Sequence, residues 1–286
     1  MSQVQEVRLS GTALCPGCGG GTAERIIFNT IGNKNIIFYG GGVCASGGTR
    51  LLTIPNCGLH LSGIGVGATG IVRALKARGR TDIKVVSMAG DGAASDIGFA
   101  KLSAEAERNE NFVQFVMDNE AYMNTGIQRS SQTPWGAWTT TTPTGKKIGQ
   151  KKNLPMIMAL HGIPYIATAS IAYPQDLIAK TKKAMSIEGF RYIHVFAPCP
   201  TGWRSDPGKT IEIARLAVQS GMFNIYEIEN GQVKISIKPK ERVPVGDYTK
   251  IQGRFSQLKP DDLVKMQNYI DEQWKNLLDL DGKRVF

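Results

Sequence analysis

Short apolar runs recur along the chain and alternate with stretches of helical periodicity. Residues 35–39 (NIIFY) predict a strand, and 64–77 a helix with its glycines on one face. A second strand is expected at 83–89 (IKVVSMA), then a tight turn at Gly90-Asp91-Gly92 that opens a helix running to about Arg108. The pattern continues with a strand at 112–117 (FVQFVM), a short helix near 155–161, a strand at 165–169, a helix at 175–187 and a strand at 192–196. Continuous apolar strands separated by helices imply an α/β fold, a doubly wound and mostly parallel sheet covered on both faces. Residues 223–239 read as a β-hairpin turning at Asn230-Gly231, and 258–280 as a terminal helix opening near Lys259-Pro260-Asp261. The expected organisation is one α/β domain over 1–222, with 223–286 as a C-terminal extension of the same unit.

Between the strand at 112–117 and the helix near 155–161 lies a long polar stretch, 118–153, rich in Thr, Gly and Pro. A loop of that length inside a compact domain is uncommon and usually functional. It leaves the carboxyl end of a strand, where open α/β sheets bind their ligands.

Composition narrows the classes. With 286 residues, 42% hydrophobic and 20% charged, the chain is neither a disordered tail nor a coiled coil. No apolar run is long enough to span a bilayer, and the N-terminal stretch lacks the apolar core of a secretion signal, so a soluble cytoplasmic protein is expected. The formal charge is +10, from 34 basic and 24 acidic residues. Small basic clusters (Lys146 with Lys147, Lys151 with Lys152, 180–183 and 238–242) read as solvated faces. They suit an acidic protein partner or an anionic substrate; no nucleic-acid-binding motif accompanies them.

Gly90-Asp91-Gly92 follows a strand and precedes a helix. Glycine permits a sharp turn and close approach to a ligand, an aspartate at a strand end suits Mg²⁺, and a helix N-terminus offers N–H groups to a diphosphate. The next strand ends in Asp118-Asn119-Glu120-Ala121-Tyr122-Met123-Asn124-Thr125-Gly126, one helix and one strand later. That interval brings two neighbouring strand ends together, so one metal can take Asp91, the Asn119 side-chain oxygen and a nearby backbone carbonyl. A Gly-Asp-Gly followed at this interval by Asn at a strand end resembles the thiamine diphosphate-binding motif.

Five cysteines without an export signal argue against a disulfide framework. Cys15-Pro-Gly-Cys18 supports zinc, a redox dithiol or half of an iron–sulfur site. A metal site needs two more ligands, for which Cys44 and Cys199 are the candidates. Cys57 reads as a small buried hydrophobe, and His60, His161 and His194 as satisfied core residues. Arg129 and the threonines of 139–142 face either an anionic ligand or solvent. The Gly40-Gly41-Gly42 cluster lacks the full dinucleotide-binding pattern.

Taken together, the cysteine motif near the start, Gly90-Asp91-Gly92 with Asp96-Ile97-Gly98 behind it, DNEAYMNTGIQRSSQTP from Asp118 onward and Cys199-Pro-Thr-Gly-Trp203 resemble the β subunit of the 2-oxoacid:ferredoxin oxidoreductases, above all those acting on pyruvate. The resemblance runs in order over residues 12–270. It implies oxidative decarboxylation of a 2-oxoacid with coenzyme A to acyl-CoA, CO₂ and reduced ferredoxin. It further implies that Asp91, Asn119 and the Ala121 carbonyl bind Mg²⁺, that Gly90, Gly92 and Thr125 lie along the diphosphate, and that Asn124 sits near the reactive carbon and substrate. Cys15, Cys18, Cys44 and Cys199 would hold a [4Fe–4S] cluster. By the same resemblance a partner α subunit supplies the glutamate that activates the cofactor, with γ and δ subunits and ferredoxin as further partners. Pyruvate is the implied substrate; around Cys44 and at Leu61-Ser62-Gly63 the chain departs from the family's usual residues, which leaves other 2-oxoacids open. The competing readings are a non-redox thiamine diphosphate carboligase or decarboxylase subunit with a structural zinc, and a basic zinc-bearing nucleic-acid-binding module.

Overall fold

The computed structural model describes residues 11–41, 44, 52–59, 61–142 and 145–286. His60, Gly42, the immediate neighbours of Cys44 and residues 1–10 lie outside the described residues. Strands β1 (Ile36–Gly41), β2 (Asn56–Leu59), β3 (Lys84–Gly90), β4 (Val113–Asp118), β5 (Tyr165–Ser170), β6 (Arg191–Phe196), β7 (Ile225–Glu229) and β8 (Gln232–Ile237) form one sheet in the order β2-β1-β3-β4-β6-β5-β7-β8. From β2 to β5 the neighbours are parallel; β7 runs antiparallel to β5, and β8 antiparallel to β7. The chain steps outward from β1 to β2 and then crosses back to lay β3 on the other side of β1. That reversal leaves a crevice at the carboxyl ends of the strands, where such sheets bind ligands.

Helices α1 (Gly19–Ile31), α2 (Val66–Ala77), α3 (Phe99–Glu107), α4 (Leu154–Ala159), α5 (Pro174–Ser186), α6 (Pro200–Trp203), α7 (Thr210–Ser220), α8 (Val245–Thr249) and α9 (Pro260–Leu280) complete the described elements, with a π-helical turn at Ala93–Ile97. One core joins α1, α5 and α7 to the sheet through Phe28, Leu177 and Ile213; the other joins α2, α3 and α4 through Ala68, Leu102 and Met158. Helix α9 contributes Met266 and Ile270 to the first and Leu277 to the second. No helix among the described residues is long and apolar enough to cross a membrane.

The strands follow the apolar runs closely because β4, β5 and β6 are buried along their whole length and carry no alternation to misread. The hairpin turns at Asn230 (φ 48°) and Gly231 (φ 82°), the paired left-handed residues of a two-residue turn matched to strand twist. It extends the main sheet. Helix α1 escapes sequence reading because its first turn is Gly19-Gly20-Gly21, the poorest of helix formers after proline. Those glycines are there for close packing: a Cβ on Gly19 would lie 2.6 Å from the Pro198 carbonyl oxygen, and one on Gly21 2.6 Å from Leu14. Cys57 is exposed, contrary to expectation, because β2 is the outermost strand of the sheet.

A buried acid lies beneath α2. Glu105 of α3 is 1% exposed, pressed against Gly65, and neither carboxyl oxygen has a hydrogen-bond partner. Burial raises its carboxyl to about 8. Free glutamate titrates near ~4.3, so the unfolded chain ionises first and the folded state loses stability as pH climbs toward 8. The isosteric Glu105→Gln removes that penalty. Its stability advantage in denaturant titrations should grow between about pH 5 and pH 8 to on the order of 3 kcal/mol. A difference independent of pH would show that this carboxyl does not titrate as its burial requires.

Candidate active site

The ends of β3 and β4 are adjacent, Gly90 pairing with Met117. A cleft there is lined by Cys44, Gly90, Asp91, Gly92, Asn119 and the run Ala121, Tyr122, Met123, Asn124 and Thr125, with Leu61 and Ala93 closing its side. The structure thus gathers in one place all the residues expected to hold the cofactor, and Cys44 with them. Neither glycine of the Gly-Asp-Gly motif makes a left-handed turn: β3 runs to Gly90, and Gly92 (φ −65°, ψ −35°) is already helical. Gly92 is required by proximity instead. A Cβ there would lie 2.5 Å from the Tyr122 ring, whose hydroxyl donates to Gly92 O at 2.9 Å.

Asp91 is buried and accepts a 2.6 Å hydrogen bond on Oδ2 from Ser130. The Asn119 amide lies 3.0 Å from Asp91 Oδ1 and 2.8 Å from the Ala121 carbonyl oxygen. With its nitrogen turned toward them it donates to both. With its oxygen turned toward them, three oxygens converge, and both separations match the ~3.0 Å edge of an octahedron of oxygens about 2.1 Å from Mg²⁺. Burial and the neighbouring Asp118 carboxylate push the Asp91 carboxyl well above the usual range, against the Ser130 bond and Lys151. A divalent cation reverses that preference, so these residues fit one.

Behind this front, Asp118 receives Lys151 Nζ at 2.6 Å and His194 Nε2 at 2.9 Å, and Tyr192 OH lies 2.6 Å from His194 Nδ1. Burial alone would raise the Asp118 carboxyl, but Lys151 and His194 outweigh it and hold it at about 2. Glu120 pairs with Lys151 at 2.9 Å and with Arg254 at 2.7 Å. His194 is the satisfied core residue expected of it, and His161 bonds Ser103 and the Ile157 carbonyl.

Several basic residues are not the solvated faces they were expected to be. Lys147 is 3% exposed, donates to the carbonyls of Ser131, Thr133 and Gln150, and is lowered by burial to about 8. Lys180 is likewise buried on Asp176 and the Thr168 carbonyl. The polar stretch 118–153 contains few apolar side chains to bury, so its lysines and threonines close its backbone instead. Thr139 and Thr142 are buried and bonded to each other, whereas Arg129 is exposed. Ser130, Tyr122 and Lys151 are the site residues that sequence reasoning missed. Ser130 and Tyr122 lie inside the DNEAYMNTGIQRS run, which was the signal available.

The four candidate cysteines come from three segments, with Cys15 and Cys18 in one turn. Cys18 Sγ accepts from Gly21 N and Cys199 Sγ from Gly202 N, both at 3.4 Å, and Gly19 N donates to Pro198 O at 3.0 Å, lashing the two loops together. Burial pushes the Cys44 thiol up to about 12, with Cys199, Cys18, Cys15 and Asp91 adding to it; Cys199 is raised by burial and by Cys18 and Cys15. The four thiols therefore share one electrostatic neighbourhood. Among the described residues, however, no three His, Cys, Asp or Glu side chains gather as ligands of a single ion would. Trp203 joins the two regions: its Nε1 donates to Asn119 O at 2.8 Å, and Arg254 stacks on its ring at 3.6 Å.

Residues 45–195 of this mostly parallel fold match the family model "Thiamine pyrophosphate enzyme, C-terminal TPP binding domain", which puts the chain in the thiamine class of cofactor-dependent enzymes. The chain is 43% identical to pyruvate synthase subunit PorB of Methanothermobacter marburgensis, across 96% of this chain and 98% of that one. It is 44% identical to ketoisovalerate oxidoreductase subunit VorB of Pyrococcus horikoshii, across 96% and 93%. Among solved structures it resembles a 2-oxoglutarate:ferredoxin oxidoreductase from Magnetococcus marinus, with TM-score 0.62 and 26% identity over 75% of this chain and 81% of that one. The chain belongs to the thiamine pyrophosphate enzymes and, within them, to the β subunits of the 2-oxoacid:ferredoxin oxidoreductases.

Gly92→Ala drives a methyl into the Tyr122 ring and should cost about 1–3 kcal/mol in thermal or denaturant unfolding. Adding Tyr122→Ala makes room and should recover part of that loss. Purely additive losses would show that the ring contact is not what demands glycine.

Proposed function

We propose that this chain is the thiamine diphosphate-binding subunit of an enzyme that converts a 2-oxoacid, coenzyme A and two oxidised ferredoxins to acyl-CoA, CO₂, two reduced ferredoxins and a proton. Pyruvate is the proposed substrate; a branched 2-oxoacid is the second, because the ketoisovalerate relative matches as well as the pyruvate one. The observation that carries the reading is the single cleft that Asp91, Asn119, Ala121 and Cys44 line together.

In this reading Asp91, Asn119 and the Ala121 carbonyl hold Mg²⁺, Gly90, Gly92 and Thr125 flank the diphosphate, and Asn124 faces the substrate. The cofactor, when bound, supplies the electron sink that accepts the charge left as CO₂ departs. Cys15, Cys18, Cys44 and Cys199 would hold a [4Fe–4S] cluster, which would supply one-electron redox chemistry. The backbone N–H groups on Cys18 and Cys199 favour thiolates and tune such a cluster. An α subunit completes the site, with γ and δ subunits and ferredoxin carrying electrons onward in the cytoplasm.

The test is iron, acid-labile sulfide and zinc measured on the anaerobically purified complex, corrected for clusters in partner subunits, alongside viologen reduction by pyruvate or 2-oxoisovalerate with coenzyme A. About four irons and four sulfides per chain are expected. Zinc without sulfide would instead indicate non-oxidative thiamine chemistry. Cys199→Ser should abolish the cluster's visible absorption while Cys57→Ser, on the exposed outer strand, leaves it intact; the reverse result would reassign the fourth ligand.

A further inference from the structure

Asp118 and Glu120 stand on either side of Asn119, and both are buried. Lys151 bridges them, its Nζ 2.6 Å from Asp118 Oδ2 and 2.9 Å from Glu120 Oε1. From the same short segment, the Asn119 amide and the Ala121 carbonyl turn toward Asp91. Glu120 takes φ 65°, a left-handed conformation that a residue with a side chain holds only when its surroundings impose it. The ammonium is itself fixed, 5.8 Å from the ring centres of Phe196 and Phe223. His194 shares Asp118 Oδ2 with Lys151 and Arg254 takes the other oxygen of Glu120, but among the described residues Lys151 alone touches both carboxylates.

We propose that Lys151 is a positioning residue for the divalent cation of the cofactor: by clamping Asp118 and Glu120 behind the segment, it sets the turn that presents Asn119 and the Ala121 carbonyl to Asp91. The inference rests on the reading that this chain binds thiamine diphosphate through such a cation. Lys151 reaches neither cation nor diphosphate; it acts through the backbone of residues 118–121. Without it, Asp118 keeps only His194 and Glu120 only Arg254, nothing links the two carboxylates, and the segment that carries the cation's oxygens loses its clamp.

The experiment uses the purified complex stripped of cofactor, with Mn²⁺ as the probe and thiamine diphosphate present, following free Mn²⁺ by its paramagnetic resonance signal. Lys151→Met should raise the Mn²⁺ concentration for half-occupancy by roughly 10- to 100-fold, as loss of a group behind a metal ligand does. Lys151→Arg, which keeps the charge and can reach two carboxylates, should retain most of the affinity. Lys180→Met removes another ion-paired lysine, buried more deeply still and bonded to Asp176 at 2.8 Å and the Thr168 carbonyl at 2.9 Å. It should lower the melting temperature without moving Mn²⁺ occupancy. Mn²⁺ affinity in Lys151→Met equal to the parent's overturns the proposal, as does a folded Lys151→Arg that binds no better than a folded Lys151→Met. If Lys151→Met does not assemble, Lys151→Ala with added methylammonium replaces it, since Lys151 borders a cavity of ≈160 Å³ that admits a small amine. Mn²⁺ binding that returns with the amine supports the clamp, and binding undiminished without the amine overturns it. A parent complex that binds neither Mn²⁺ nor thiamine diphosphate overturns the underlying reading itself, and is told apart by needing no variant.

Discussion

Three carboxylates, Asp91, Asp118 and Glu120, are buried at the carboxyl ends of two adjacent parallel strands, and the rest of the site is arranged around making that tolerable. An isolated buried carboxylate is too costly to persist as an anion. Each here has a distinct solution. Asp118 has an ammonium and an imidazole, Glu120 an ammonium and a guanidinium, and Asp91 one hydroxyl and a raised affinity for its proton. The asymmetry fits the proposed function: the two fully compensated carboxylates face the interior, and the undercompensated one lines the cleft. A site short of positive charge at one oxygen is a site prepared for a cation.

The long segment after β4 supplies much of that compensation. Ser130 bonds Asp91, Thr133 bonds the Glu120 carbonyl, and Ser131 N donates to Asp96 at 2.9 Å, so the segment is sewn onto the π-helical turn it faces. A residue beside Cys199 does the same from the other direction. Trp203 follows Cys199 and holds the Asn119 carbonyl, so the cysteine region and the carboxylate region share one rigid element. Any shift at Cys199 is thereby felt by the residue that carries the Asn119 amide.

The sheet was legible in the sequence because its central strands are apolar throughout and end in turn residues. The cleft was legible because the residues that line it fall mostly in two short ordered motifs. What escaped reading follows one physical rule: polar residues whose burial depends on partners far along the chain look like surface in sequence. Lys151 beside Lys152 reads as a basic face until Asp118 and Glu120 are seen to converge on it, and Lys147 reads likewise until three carbonyls surround it. Helix α1 was hidden by glycines chosen for close approach to Pro198, a contact that no local propensity records. Cys57 erred the other way, since an apolar context does not reveal that a strand is outermost.

The contacts joining the first and last cysteines also impose an order on how the molecule is made. Thr210 Oγ1 donates to Gly17 O at 2.7 Å across 193 residues, and Gly19 N to Pro198 O closes the same gap. Until β6 has taken its place between β4 and β5, the loop holding Cys15 and Cys18 has nothing to dock against. Those two thiols therefore leave the ribosome long before their distant partner and spend most of synthesis unsheltered. Any centre that needs Cys199 can form only after that residue has been made and its loop has met the one that carries Cys15 and Cys18.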